Sequence, residues 1–237
     1  YNSIDGGWFL VNGEDQDMIR EKYEAVWKQI AERFAKYDEH LIFESMNEES
    51  DGTYDGDPNK EYYANPNQYN QIFVDTVRGT GEKNTHRWLL VPGWNTNIEY
   101  TIGDYGFEMP TDEKCSAGES RMMVSVHYYD PWDYCGIEDL KTILWGEYGD
   151  NLIEVNGFPK MNKAKWGDES YLDDLFSRMQ EKFVKNDIPV IIGEYGCIDK
   201  SSAYADFAGQ IQGNRAYWDG YVAGKAASMG MIPVYWD

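Results

Sequence analysis

The fold class of this chain is indicated by one stretch of its sequence, Ile188-Pro189-Val190-Ile191-Ile192-Gly193-Glu194-Tyr195-Gly196. Its apolar part is too short for a typical helix and has no polar face, which is typical of a strand buried on both sides of a parallel sheet. Glu194 follows the apolar run directly. A carboxylate at that place is costly unless it has a partner or reaches solvent, so Glu194 is a candidate functional residue.

Buried apolar strands alternate with amphipathic helices along the rest of the chain. Strands are predicted at residues 41–43, 88–92, 122–128, 189–193 and 232–236, and helices at residues 17–38, 67–79, 169–185 and 212–228. Strand followed by helix, repeated, predicts parallel strands covered by helices, which is an α/β fold. We therefore interpret residues 1–237 as a single α/β domain with five strands and about four helices.

Composition narrows the classes of partner. The chain has 42 acidic against 21 basic residues, a formal net charge of −21, which argues against nucleic acid and anionic lipid as main partners. No apolar stretch approaches the roughly 20 residues of a membrane span, so no membrane partner is expected. Aromatic residues make up 16% of the chain, with 9 Trp and 19 Tyr, and such rings suit stacking on sugars or lining an interface.

No cofactor motif stands out. The chain has no phosphate-binding glycine loop and no H-E-x-x-H zinc motif, and its cysteines, Cys115, Cys135 and Cys197, form no C-x-x-C pair. One disulfide stays open as an alternative, with its partners undetermined. The acidic loop at residues 51–61 resembles a calcium loop only loosely. These patterns argue against a zinc ribbon and against a phosphate-binding loop.

Polar residues recur where the predicted strands end. They are Asn47 and Glu48, Trp94 and Asn95, His127 and Tyr129, Glu194 and Tyr195, and Trp236. Because parallel strands end at one rim, these side chains should converge. Two carboxyl groups at one rim are what glycosidic-bond hydrolysis needs, one to protonate the leaving oxygen and one to attack the anomeric carbon or activate water. Each residue also has a plain structural alternative, such as a core tryptophan or a satisfied histidine.

Four of these segments resemble motifs of glycoside hydrolase family 5. Residues 41–48 (LIFESMNE) resemble its fourth-strand motif, 126–129 (VHYY) its sixth-strand His-x-Tyr motif, 191–196 (IIGEYG) its nucleophile motif and 234–237 (VYWD) its eighth-strand tryptophan. Residues 1–13 and 88–97 resemble the endoglucanase and xyloglucanase branch. The likeness runs along the whole chain.

The resemblance implies a TIM-type (β/α)₈ barrel that hydrolyses β-1,4-glucan with retention of configuration. It also implies that neither a metal nor an organic cofactor takes part in the chemistry. Glu48 would be the acid/base and Glu194 the nucleophile. Asn47 would hold the sugar 2-hydroxyl, and His127 and Tyr129 would tune and orient the two glutamates. Trp236 would be the stacking platform. Trp94 and Trp132 are further candidate substrate-binding residues, because of their placement near strand ends. Members of the family are usually secreted, and we expect the same here.

The resemblance also implies a departure. The family's first three strands, with an arginine and a histidine of the site, precede the point that matches Tyr1, and its final helix follows the point that matches Asp237. Strands four to eight alone cannot close a barrel, which leaves open edges. The missing strands belong to the natural protein but not to this chain, or two copies cover each other's edges, or the fragment is a stable but inactive remnant; if the chain is whole, we expect self-association. Mannanase, xylanase and xyloglucanase activities remain alternatives, as does a non-catalytic sugar-binding fragment, because loops rather than fold select the sugar.

Overall fold

The computed structural model describes residues 7–52, 56–138, 140–156, 158 and 160–237. Its strands are β1 (Phe43–Glu44), β2 (Leu89–Asn97), β3 (Met122–Tyr128), β4 (Val190–Tyr195) and β5 (Ile232–Tyr235). Its α-helices are α1 (Gln16–Phe34), α2 (Lys60–Gly79), α3 (Ile98–Ile102), α4 (Trp132–Cys135), α5 (Gly146–Asn156), α6 (Glu169–Lys182) and α7 (Ala208–Ser228). Among the described residues, no helix is long and apolar enough to cross a membrane.

The five strands form one sheet in chain order, β1-β2-β3-β4-β5. Phe43 is in register with Leu89, and Ile191 is in register with Ile232; both pairings are parallel. A parallel pair needs a crossover connection, and helices lie between consecutive strands here. The α/β fold class inferred from the sequence is therefore confirmed.

The strand positions were predicted more closely than the helix ends. The strand at residues 122–128 is confirmed to the residue, whereas β2 extends five residues beyond the predicted end. Helix α2 begins at Lys60 rather than residue 67, since the Asn59 side chain accepts the N–H of Glu61 and Pro66 is accommodated inside the helix. Helices α3, α4 and α5 were not predicted, because two are one turn long and the third contains two glycines.

The described residues divide into two compact units. The first unit contains residues 7–52, 56–126 and 188–190, and the second contains residues 127–138, 140–156, 158, 160–187 and 191–237. The interpretation of residues 1–237 as one catalytic domain stays a prediction.

Aromatic rings build the core of the first unit. Phe9 stacks on Tyr23 with ring centroids 4.9 Å apart, and Trp27 meets Phe73 edge-on at 4.4 Å. Such pairs add stabilisation beyond the area that they bury. The faces of α1 and α2 that carry these rings are thereby fixed against each other.

Arg87 holds the chain that leads into β1. Its side chain is 1% exposed and stacks over Phe43 with 4.8 Å between the guanidinium carbon and the ring centroid. It donates hydrogen bonds to the Asn84 side chain at 2.7 Å and to the carbonyl oxygens of Asp38 and Leu41 at 2.8 and 2.5 Å. A buried guanidinium needs all these acceptors, and in return it fixes the turn before β1.

The second unit packs α6 and α7 around Tyr128. The Tyr128 ring stacks on Trp218 at 5.8 Å and meets Phe176 edge-on at 5.2 Å. Lys200 is 3% exposed and donates to the carbonyl oxygens of Asp133 and Thr142, both at 2.8 Å. These contacts fasten the loops that follow β3 and β4 within this unit.

Candidate active site

The first unit presents Glu48 on a short segment directly after β1. The N–H of Glu48 donates to Thr96 Oγ1 at 2.9 Å, and the N–H of Asn95 donates to the carbonyl oxygen of Glu49 at 2.8 Å. These two hydrogen bonds tie the segment after β1 to the end of β2. The backbone at Glu48 is thus fixed by these contacts.

Three residues of this connection have left-handed backbone conformations. Their φ angles are +53° at Glu48, +51° at Asn95 and +49° at Thr96. A β-branched residue such as Thr96 is a genuine outlier there, and such conformations cost on the order of 1–3 kcal/mol each. Strain of this kind persists where surrounding contacts enforce it and concentrates at functional sites, which favours a functional role for Glu48.

Asn47 and Trp94 differ in what they offer to a ligand. Asn47 is exposed, consistent with the predicted contact to a sugar hydroxyl. Trp94 is 3% exposed and packs on Tyr63 with ring centroids 5.6 Å apart. Its indole belongs to the core of the first unit, and the role of Trp94 in substrate binding stays a prediction.

Glu49 was not singled out from the sequence, yet it is the more buried of the two adjacent glutamates. It is 6% exposed, and within the part of the chain that the structure describes its Oε2 has no hydrogen-bond partner. Burial raises the pKa of the Glu49 carboxyl to about 8. Two consecutive glutamates give no periodic signal that would say which one faces inward.

The second unit holds Glu194 at the end of β4 between two side chains from β3 and its end. The Tyr129 hydroxyl donates to Glu194 Oε2 at 2.9 Å, and His127 Nδ1 lies 3.3 Å from the same oxygen. The Glu194 side chain is 16% exposed and that of His127 is 5% exposed. The contact with His127 is a hydrogen bond in the tautomer that carries its proton on Nδ1.

This arrangement fixes the orientation of one carboxylate while leaving it within reach of a ligand. A nucleophile gains rate when it is held in a near-attack geometry, and two neighbours on one oxygen supply that restraint. The sequence predicted that His127, Tyr129 and Glu194 lie at the rim, and the structure brings these three together.

Two tryptophans of the second unit are exposed. Trp236 is 60% exposed and Trp132 is 54% exposed. The backbone N–H of Trp236 donates to the Tyr195 carbonyl oxygen at 2.9 Å, and the Trp132 ring lies edge-on to Tyr129 at 6.0 Å. Exposed indoles with a fixed backbone can stack on the apolar face of a sugar.

The calcium alternative concerns residues 51–61, of which residues 53–55 lie outside the described residues. In the described part of that loop, the Asp57 carboxylate accepts a hydrogen bond from the Tyr105 hydroxyl at 3.2 Å. The absence of a cofactor and of a catalytic metal stays a prediction.

Curated proteins similar to this chain include endoglucanases and a xyloglucan-specific endo-β-1,4-glucanase. Endoglucanase A of Paenibacillus barcinonensis is 48% identical over 241 residues, covering 100% of this chain and 57% of that protein. A xyloglucan-specific endo-β-1,4-glucanase of Bacteroides ovatus is 32% identical, covering 98% of this chain and 44% of that protein. The chain thus spans about half the length of the curated relatives that it matches.

Solved structures give the same picture. The structure of a family 5 xyloglucanase from Paenibacillus pabuli with ligand matches at a TM-score of 0.90 and 50% identity, covering 100% of this chain and 64% of that one. A broad-specificity endoglucanase from Bacteroides salanitronis matches at a TM-score of 0.80 and 37% identity, covering 94% and 54%. The predicted fold, an incomplete (β/α)₈ barrel, is confirmed.

The family description Cellulase (glycosyl hydrolase family 5) matches residues 6–237, which is nearly the whole chain. The resemblance inferred from the four motifs is therefore confirmed: this chain belongs to glycosyl hydrolase family 5, the cellulase family.

Proposed function

We propose that this chain carries the catalytic glutamates of a retaining endo-β-1,4-glucanase. The observation that supports the proposal best is the restrained Glu194 carboxylate, with the Tyr129 hydroxyl at 2.9 Å and His127 Nδ1 at 3.3 Å. The second support is Glu48, which is held in a left-handed conformation by the hydrogen bond of its N–H to Thr96.

The proposed reaction is a double displacement. Glu194 attacks the anomeric carbon while Glu48, in its protonated form, gives its proton to the departing glycosidic oxygen, and a covalent glycosyl-enzyme forms. Glu48 then takes a proton from water, the water oxygen attacks the anomeric carbon, and Glu194 leaves as a carboxylate. Two inversions give net retention, and the mechanism requires the two carboxyl groups to approach within about 5–5.5 Å.

The remaining roles concern binding of a β-glucan chain. Asn47, which is exposed, is proposed to hold the 2-hydroxyl of the sugar at the cleavage site, where a hydrogen bond strengthens in the transition state. The exposed indoles of Trp236 and Trp132 are proposed to stack on sugar rings. His127 and Tyr129 act through Glu194 and are positioning residues.

Xyloglucan is the second candidate substrate. Two relatives support it by name, the Bacteroides ovatus enzyme and the Paenibacillus pabuli xyloglucanase. Initial rates on carboxymethylcellulose, mixed-linkage β-glucan, xyloglucan, mannan and xylan separate the candidates. A preference for mannan or xylan would refute the glucanase proposal.

The catalytic roles are tested by chemical rescue of alanine variants on an aryl cellobioside. Glu194→Ala with azide is expected to yield the α-glycosyl azide, because azide replaces the nucleophile in a single inversion. Glu48→Ala with azide is expected to yield the β-glycosyl azide through the covalent intermediate. A matched control is Glu154→Ala, which removes an exposed carboxylate on α5.

The rescue assay is run on the 237-residue chain and on the longest reading frame that contains it. No azide product from either glutamate variant, with a parent that turns over normally, would refute the assignment. Calorimetric binding of cello-oligosaccharide without turnover in both proteins would favour the sugar-binding alternative.

Two further proposals concern the location of the protein and its assembly. We propose that the protein works outside the cell, because polymeric β-glucan cannot cross a membrane; immunoblots of medium and cell fractions test this.

We also propose that the chain self-associates through β5, where Ile232, Val234 and Tyr235 are 50, 45 and 42% exposed. Light scattering of the 237-residue chain should give twice 27.4 kDa, and Val234→Lys should lower the mass to that of one chain.

A further inference from the structure

Two cysteines that are distant in sequence meet in the second unit. Cys135 is the last residue of α4, and Cys197 comes two residues after the end of β4. The N–H of Ile198 donates to the carbonyl oxygen of Cys135 at 3.0 Å. One main-chain hydrogen bond therefore links residue 135 to the neighbour of residue 197, so the two cysteines lie on adjacent backbone segments. A disulfide requires such proximity, because the Cα atoms that it joins are about 4.4–6.8 Å apart.

Both thiols lie in the interior rather than at the surface. Cys135 is 2% exposed and Cys197 is 6% exposed. Burial raises the pKa of the Cys135 thiol well above its usual value, and the neighbouring Cys197 raises it further. The Cys197 sulfur also lies 3.8 Å from an oxygen of Asp219, and its carbonyl oxygen accepts from Arg215 Nε at 2.6 Å.

We propose that Cys135 and Cys197 form an intramolecular disulfide that joins the segment after β3 to the segment after β4. The oxidant is a small disulfide such as oxidised glutathione. One protein thiolate attacks it and releases one glutathione thiol, and the second protein thiolate then displaces the other. Two protein thiols are oxidised to one disulfide, and the glutathione disulfide is reduced to two thiols.

The bridge forms during folding rather than afterwards. Thiol–disulfide exchange needs a thiolate and access, and the folded unit provides little of either. Once closed, the bridge spans a loop of roughly 60 residues that includes α5 and α6. It would restrain the segment that carries exposed Trp132 together with the strand end that carries Glu194.

Thiol counting in the full chain tests the proposal. The chain is refolded with reduced and oxidised glutathione, its soluble fraction is denatured, and free thiols are alkylated and located by peptide mass. We expect one alkylated cysteine, Cys115, and one linked peptide pair that contains Cys135 and Cys197. The Cys115→Ser variant should then have no free thiol, and Cys135→Ser with Cys197→Ser should have one.

Thermal melting gives a second readout. The melting temperature of the oxidised parent should fall by roughly 5–10 °C on reduction, whereas that of the Cys135→Ser and Cys197→Ser double variant should not respond. Three alkylated cysteines in the refolded parent, or a bridge that involves Cys115, would overturn the proposal.

Discussion

The hydroxyl of Tyr129 is the contact on Glu194 that a single substitution can remove most cleanly. Tyr129→Phe deletes one oxygen and leaves the ring that lies edge-on to Trp132 at 6.0 Å. The lost hydrogen bond is 2.9 Å long and ends on a carboxylate. Hydrogen bonds to charged groups contribute about 1.5–3 kcal/mol, so the full loss in the transition state corresponds to about a 10- to 150-fold lower rate.

The assay is steady-state hydrolysis of an aryl cellobioside and of soluble β-glucan, with kcat and KM determined separately. We expect kcat to fall within that range and KM to change little, since the hydroxyl orients the nucleophile and is not proposed to contact the sugar. The matched control is Tyr221→Phe. The Tyr221 hydroxyl donates to Asp173 at 3.0 Å between α7 and α6, so this variant removes the same kind of bond away from Glu194.

Two results would contradict the proposed role of the Tyr129 hydroxyl in orienting Glu194. One is a Tyr129→Phe variant with unchanged kcat, which would mean that the hydrogen bond does not matter for the nucleophile. The other is an equal loss of kcat in both phenylalanine variants, which would mean that the effect is a general loss of stability. Melting temperatures of both variants should fall by similar, small amounts.

Three other predictions concern the backbone at Gly196, the titration of the Glu49 carboxyl and the buried Arg87 guanidinium. Gly196→Ala should raise KM for β-glucan and lower the melting temperature, because a Cβ at this position would lie 2.7 Å from the carbonyl oxygen of Trp236. Steady-state kinetics measure KM, and calorimetry measures the melting temperature. The Glu49 carboxyl has a folded-state pKa of about 8, above its ordinary value of 4.5, so its contribution to stability is full below pH 4.5 and lost as pH rises to about 8. Urea unfolding should show a loss of up to about 5 kcal/mol across that window in the parent and a smaller one in Glu49→Gln; equal pH dependence of the two would contradict the burial argument. Arg87→Met should lower the free energy of unfolding by about 3–5 kcal/mol, because several buried carbonyl oxygens lose their donor, whereas a loss below 1 kcal/mol would mean that water replaces the guanidinium.

The strand at residues 122–128 was predicted to the residue, and the strand predicted at residues 189–193 lies at residues 190–195. Such strands are predictable because a strand buried on both faces has few polar residues to blur its ends. The helices α3 and α4 were not, since one turn carries no usable periodicity. The start of α2 was misplaced at a proline that the helix tolerates.

Some residues of the candidate site were predictable from the sequence and others were not. His127, Tyr129 and Glu194 could be named from their places at strand ends and from the family motifs, and their contacts follow from parallel strands. Thr96 was missed because no sequence pattern predicts a threonine with a left-handed backbone conformation whose hydroxyl accepts a hydrogen bond from the N–H of Glu48. The burial of Trp94 could not be predicted from its place near a strand end, because it depends on the packing of the first unit.

Covalent trapping tests whether Glu194 is the nucleophile. An activated 2-deoxy-2-fluoro-cellobioside slows the second displacement, so the glycosyl-enzyme accumulates and the labelled residue can be found by peptide mass. We expect one label per chain on Glu194, and no label in Glu194→Gln. A label on another residue, or turnover in Glu194→Gln equal to that of the parent, would contradict the claim.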